Sequence, residues 1–201
     1  CLKTCRNFLR SKPVLMLMDE SPLLQWFPLR VPYGRELKLK AFLDSRQIEN
    51  FIPMMRTIVE KDGVRRKVVR PAVRNLCFVC ADRQSLDALR ADLTGRIAVH
   101  YLWDKSTRQP LVVPEKAMRD FIRISRTMDE DLVYMSEVAP KLREGQRVRV
   151  LAGPFQGVEG VVVRVRKSKR VMVELPGMMA VATTFIQPDL LETLPGFPSA
   201  D

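Results

Sequence analysis

From Trp26 onward the chain switches repeatedly between two apolar periods. Trp26-Phe-Pro-Leu-Arg-Val31 reads as a strand, and Pro32-Tyr-Gly34 as a turn. Residues 35–45 set Leu37, Leu39, Ala41, Phe42 and Leu43 among Glu36, Lys38, Lys40 and Asp44. A helix fits that stretch best, although its apolar spacing is only partly regular. Residues 48–54 read as extended again, with Pro53 suited to a strand end. Residues 57–69 form a hairpin around Asp62-Gly63, and its charged arms predict that it protrudes. Leu76-Cys-Phe-Val-Cys-Ala81 is a near-continuous apolar run, as in a central strand. Residues 83–93 carry Leu86, Leu89 and Leu93 on one helical face, with Asp82 or Ser85 as cap and Gly95 as stop. A strand over 97–103, an extended Pro110-Leu-Val-Val-Pro114 and a helix over 115–124 complete the front half. Strands and helices interleaved at this length predict a compact α/β sandwich.

The pattern then changes. Residues 125–142 are polar and acidic, and read as a linker with a short strand or helical turn at Leu132-Val-Tyr-Met135. From Arg143 the chain runs Arg-Glu-Gly-Gln-Arg-Val-Arg-Val-Leu-Ala-Gly-Pro-Phe-Gln-Gly-Val-Glu-Gly-Val. Valines alternate with charges, the run breaks at Gly153-Pro154-Phe155, and it resumes at Val161. That is strand, tight turn, strand. Gly153, Gly157 and Gly160 suit positive φ or close backbone approach. Further strands are expected at Val171-Met-Val-Glu-Leu175 and Met179-Ala-Val-Ala182. The expected division is an extension over 1–24, a first domain over 25–124, a linker over 125–142, a β domain over 143–194 and a tail over 195–201.

Composition sharpens the functional question. The net charge is +11 and the pI about 9.9. Such an excess favours polyanionic partners through counterion release, without distinguishing DNA, RNA or anionic lipid. A hydrophobic fraction of 46% is enough for real cores. No stretch is long enough to span a bilayer, and the N-terminal charged and apolar run is too short for a signal peptide. Four cysteines stand at Cys1, Cys5, Cys77 and Cys80. Core thiols in a reducing cytoplasm explain them better than a zinc site, whose ligand pairs usually sit on turns. His100 is the only histidine. No nucleophile–base set, phosphate loop or metal-ligand spacing stands out, so neither an enzyme nor a cofactor is expected.

The glycine-punctuated run resembles the KOW motif, a small SH3-like β-barrel module. Both halves together are similar to the NusG family of transcription factors, which join an N-terminal NGN domain to a KOW domain. The residues that carry this are Trp26-Phe27, Gly34, Leu76-x-Phe78-Val79, Val112-Val-Pro114 and the KOW run. Tyr33-Gly-Arg-Glu36, Leu175-Pro-Gly and Ala180-Val-Ala-Thr-Thr-Phe-Ile186 resemble the UpxY-type paralogues, which act at capsular polysaccharide operons. The fold class implied is α+β: a mostly antiparallel NGN sheet with flanking helices, then a β-barrel.

The resemblance implies binding without catalysis, by a monomer in the bacterial cytoplasm. NGN domains of the family seat on the clamp helices of RNA polymerase through an apolar depression and suppress pausing. The corresponding positions are Leu76 and Phe78, with Arg30 standing where the family has an apolar residue; Phe27, Val112 and Val113 are further candidates. Non-template DNA or nascent RNA would meet Arg35, Lys38, Arg74 and Arg83. In the KOW module Arg164, Arg166, Lys167, Lys169 and Arg170 crowd one hairpin and repel one another unless an anion lies opposite. A small-subunit ribosomal protein or the Rho terminator would meet Phe155. Two other readings stand beside a specialised factor: a housekeeping NusG coupling transcription to translation or Rho, and a ribosome-associated RNA-binding KOW protein.

Overall fold

The computed structural model describes residues 23–136, 145–165 and 167–195. The expected extension over 1–24 and the tail therefore lie almost entirely outside the described residues, as do Cys1, Cys5 and Arg166.

The front half is built on a four-stranded sheet. Its strands are β1 (Gln25–Arg30), β2 (Asn50–Phe51), β5 (Leu76–Ala81) and β6 (His100–Tyr101), in the order β2-β5-β1-β6. Antiparallel register sets Phe27 opposite Val79 and Leu29 opposite Cys77. Because strand side chains alternate, these four share one face, while Trp26, Leu76, Phe78 and Cys80 share the other. The first face is closed by α1 (Glu36–Ser45) and α2 (Arg83–Asp92), whose Leu39, Leu43, Leu86 and Leu89 join Phe27, Leu29, Cys77 and Val79 in one core. Asp82 caps α2 by accepting the Ser85 N–H at 2.8 Å, which holds its carboxyl below the usual range.

Between these elements stands the hairpin of β3 (Met54–Lys61) and β4 (Val64–Pro71), a two-stranded sheet of its own. Asp62 and Gly63 turn it with φ of 54° and 72°, as a tight primed turn requires. The strand expected over 97–103 shrinks to β6 and a bridge between Trp103 and Pro110. Its continuation is diverted by Asp104, whose carboxylate accepts the Ser106 and Thr107 N–H groups and closes a turn.

The segment expected as a linker is more ordered at its start. Helix α3 (Glu115–Arg126) runs past Ile124, and β7 (Val133–Met135) pairs with a strand of the C-terminal half. That half is a six-stranded antiparallel sheet. It joins β7 to β8 (Arg147–Val150), β9 (Glu159–Val165), β10 (Ser168–Leu175), β11 (Met179–Phe185) and β12 (Leu191–Thr193), in the order β12-β8-β9-β10-β11-β7. Two glycines of the run are required by geometry. A Cβ on Gly160 would lie 2.3 Å from the Met172 carbonyl oxygen, and Gly157 has a φ of 80°. The expected fold class, a mixed α/β front half followed by a β-rich module, is the one observed.

Candidate functional site

The second face of the front sheet is not open to water. Trp26, Leu76, Phe78 and Val113 belong to a single core with Met118, Phe121, Ile122 and Ile124 of α3 and with Val148, Phe155, Val158, Val173 and Val181 of the C-terminal module. Aromatic rings mark the path. Phe78 lies 5.7 Å from Phe121, and Phe121 lies 6.2 Å from Tyr134 of β7. Leu76 is 4% exposed, Phe78 not at all. Helix α3 explains how one core spans both halves. Its buried residues Met118, Phe121, Ile122, Ile124 and Ser125 cover more than one face, so the helix is wedged between two sheets rather than laid on one.

Polar ties hold the rim of this seam, and several run between α3 and the segment from Gln156 to Glu159. The Arg123 guanidinium donates to the Gln156 carbonyl. The Lys116 ammonium reaches the Gly157 carbonyl at 3.3 Å, Asp120 at 2.6 Å and Glu159 at 3.7 Å. Asp120, itself buried, also accepts the Glu159 N–H at 3.3 Å. Arg149 donates to the Glu159 carboxylate, and with Lys116 nearby the carboxyl stays below its ordinary range. An unpaired buried carboxylate would be costly, so Lys116 and the Glu159 N–H are what make Asp120 tolerable at the seam.

Of the positions expected to face a polymerase, Phe27 lies in the core under α1 and α2, and Leu76, Phe78 and Val113 lie in the shared core. The apolar depression implied by the resemblance is therefore filled in this arrangement. Arg30 and Val112 remain exposed. Arg30 and Arg74 border a cleft of about 520 Å³ at the seam, lined also by Leu76, Leu102, Tyr134 and Met178. Among the described residues the buried Tyr134 hydroxyl has no hydrogen-bond partner, and burial pushes its pKa up. Phe155, the position expected to meet a partner of the KOW module, is 5% exposed and part of the same core.

The basic positions do not converge. Arg35, Lys38, Arg74, Arg83, Arg164, Lys167 and Lys169 are exposed. Arg35 donates to the Arg96 carbonyl, and Arg83 pairs with Asp87 and lies over the Tyr101 ring. Arg170 departs from the expectation of a solvent-facing cation. It is 7% exposed and donates to the carbonyls of Asp131 and Thr183. The register shifts between Arg170 and Met172, so alternation breaks and Arg170, Val171, Met172 and Val173 are all buried.

Of the two described cysteines, Cys77 is buried as expected and Cys80 is half-buried. Cys77 and Cys80 sit three apart on β5 and so face opposite sides of the sheet. Burial pushes the Cys77 thiol up to about 12, the state of an inert core residue. Among the described residues no group of three metal-ligating side chains comes together, and no helix is long and apolar enough to cross a membrane.

An α/β domain capped on one face by a β-rich module through a shared helix is the class of protein these features define. Residues 24–122 match the family described as Transcription termination factor nusG, and residues 144–174 match the KOW motif. The two matches fall on the two halves of the fold. No curated protein matches the sequence. Among solved structures, one titled "Domain interaction in Thermotoga maritima NusG" is similar at 16% identity with a TM-score of 0.40, covering 86% of this chain and 98% of that one.

Proposed function

We propose that this protein is a transcription elongation or antitermination factor whose front domain binds the clamp helices of RNA polymerase, and that the arrangement described above is its closed form. The observation that carries the reading is the shared core. By the resemblance Leu76 and Phe78 would take the family's docking positions, and they share a core with α3 and the C-terminal module. Binding would then require the two halves to part, uncovering the apolar side of α3 with them. The seam suits that role because its rim is made of a few solvent-accessible hydrogen bonds and ion pairs, each a modest contributor. The UpxY-like residues support a specialised factor for polysaccharide-biosynthesis operons, working in the bacterial cytoplasm; the KOW module, once free, would offer Phe155 to a ribosomal protein or to Rho.

The test is binding of the full chain to RNA polymerase by biolayer interferometry, with and without the double substitution Lys116→Ala, Arg123→Ala. Weakening the rim should raise apparent affinity, and adding Val112→Asp, an exposed change, should lower it again. Equal and negligible binding by all three proteins would overturn the reading. Elongation assays on a pausing template report the activity itself. Occupancy at one operon leader, rather than across the chromosome, separates a specialised from a housekeeping factor.

A further inference from the structure

The cleft of about 520 Å³ at the seam takes its walls from both halves. The front domain supplies Arg30 at the end of β1, Arg74 of the loop before β5, Leu76 at the start of β5 and Leu102 just after β6. The C-terminal sheet supplies Tyr134 of β7 and Met178 of the turn between β10 and β11. Strand register sets one cation beside the apolar floor. Arg30 is the partner of Leu76 across β1 and β5, so both side chains leave the sheet on the seam face as close neighbours. Arg30 also ends a strand whose four preceding residues are buried. Arg30 and Arg74 are both exposed, and among the described residues no Asp or Glu lines the cleft. Two like charges on one small cleft repel each other unless an anion lies between them. Small-molecule sites occupy about 300–1,000 Å³ and combine an apolar lining with a few placed polar groups, which is the makeup found here.

We infer that this cleft binds a small amphipathic carboxylate, an apolar chain or ring with one acid head, and that the bound molecule bridges the two halves. The guanidinium fork matches a carboxylate with parallel N–H···O bonds, so Arg30 and Arg74 are the groups that take the head. The apolar body covers Leu76, Leu102 and Met178 and leaves water behind. A bare phosphate would satisfy the arginines and leave that floor uncovered. A cationic amphipath would meet two like charges, and a polar body would strand its hydrogen-bonding groups against apolar side chains. The bridge follows from where the walls come from. Tyr134 and Met178 arrive with the C-terminal half, so a molecule touching both walls binds the closed form alone and stabilises it by mass action. Binding stands on the cleft itself. The consequence, a carboxylate that keeps the docking face covered, rests on the closed-form reading above.

Calorimetric titration of the full chain would use decanoate, below its micellar concentration, as the probe. Acetate, a head without a body, and decyltrimethylammonium, a body with the opposite charge, are the controls. Decanoate should bind saturably at one site and the controls should not. Arg30→Ala and Arg74→Ala, both at exposed positions, should each weaken binding about tenfold, as for a lost charge-assisted hydrogen bond. Met178→Ser, on a turn of the other half, should weaken it too while thermal unfolding stays near the parent value. In the chain carrying Lys116→Ala and Arg123→Ala, decanoate should bring labels on the two halves closer and lower the apparent affinity for RNA polymerase. Absence of saturable decanoate binding, equal binding by the controls, or binding unchanged in an Arg30→Ala, Arg74→Ala double variant would overturn the site. Saturable binding that Met178→Ser leaves untouched, or that leaves the label distance where it was, would overturn the bridge. Absence of polymerase binding by every protein, with decanoate binding and the label response intact, would strike the polymerase reading alone.

Discussion

The front sheet has two equally oily faces closed by different means. One is covered by α1 and α2, which are joined to the sheet strands by short connections. The other is covered by α3 together with strands that lie up to a hundred residues further along the chain. A face closed by its own sequence neighbours cannot be uncovered without unfolding the domain. A face closed by a module with its own sheet can be, provided the module keeps enough internal core to stand alone. Here β9, β10 and β11 bury Val163, Met172, Ala180 and Ala182 in a cluster separate from the seam. The difference teaches that burial of Phe27 and burial of Phe78 are unlike facts, although both rings are inaccessible. The first rests on helices joined closely to the sheet; the second rests on α3 together with a contact between halves.

The contrast is most sharply tested by truncating one residue on each side. Phe121→Ala, at the centre of the wedge, should cost about 3–5 kcal/mol in chemical denaturation and disrupt both halves together. Leu43→Ala, on the permanent face, should cost about 2–5 kcal/mol and leave unfolding a single transition, without changing the exposure of Phe78. Phe155→Ala should instead separate the transitions of the two halves and raise hydrogen exchange at β5 and α3. If Leu43→Ala opened the seam as readily as Phe155→Ala, the two faces would not differ as described.

A smaller effect is expected at the rim. Arg123→Ala removes a bond to the Gln156 carbonyl and should shift the closed population by about 1 kcal/mol, read as a change in distance between labels on the two halves. Acid should act in the same direction. The Glu159 carboxyl titrates below its ordinary value because Arg149, in its own module, and Lys116 of α3 favour its charged form, and only the Lys116 part is lost when the halves separate. Its contribution is therefore complete above the ordinary carboxylate range and is lost as pH falls through the depressed value. The label distance should grow below about pH 4 and stay flat from there to neutrality. Smallest of all, Arg65→Ala breaks an exposed pair with Glu60 on the protruding hairpin and should change stability by less than about 1 kcal/mol.

Much of this architecture was legible before any coordinates. Apolar or alternating runs located β1, β5, β8 and β10, leucine spacing located α2, and Asp62-Gly63 located the hairpin, because each signal is local and steric. Gly157 of the KOW run was legible for the same reason, since it answers to its own positive φ, whereas Gly160 answers to the Met172 carbonyl on the neighbouring strand. Cys77 was correctly read as core, while Cys80, on the opposite face of the strand, is half-buried. Nothing in the helix pattern marked Glu36 as buried.

What the chain decided by itself is the inventory of elements and the two oily faces of the front sheet, because hydrophobic period and turn chemistry are properties of neighbouring residues. What only the tertiary structure decided is which of those faces meets a distant module. The burial of Leu76, Phe78 and Phe155 in one core, the inward turn of Arg170 at a register shift and the burial of Glu36 all depend on segments far apart in sequence. An apolar side chain carries no mark of which surface will cover it, and a charge carries none of which carbonyls will be waiting.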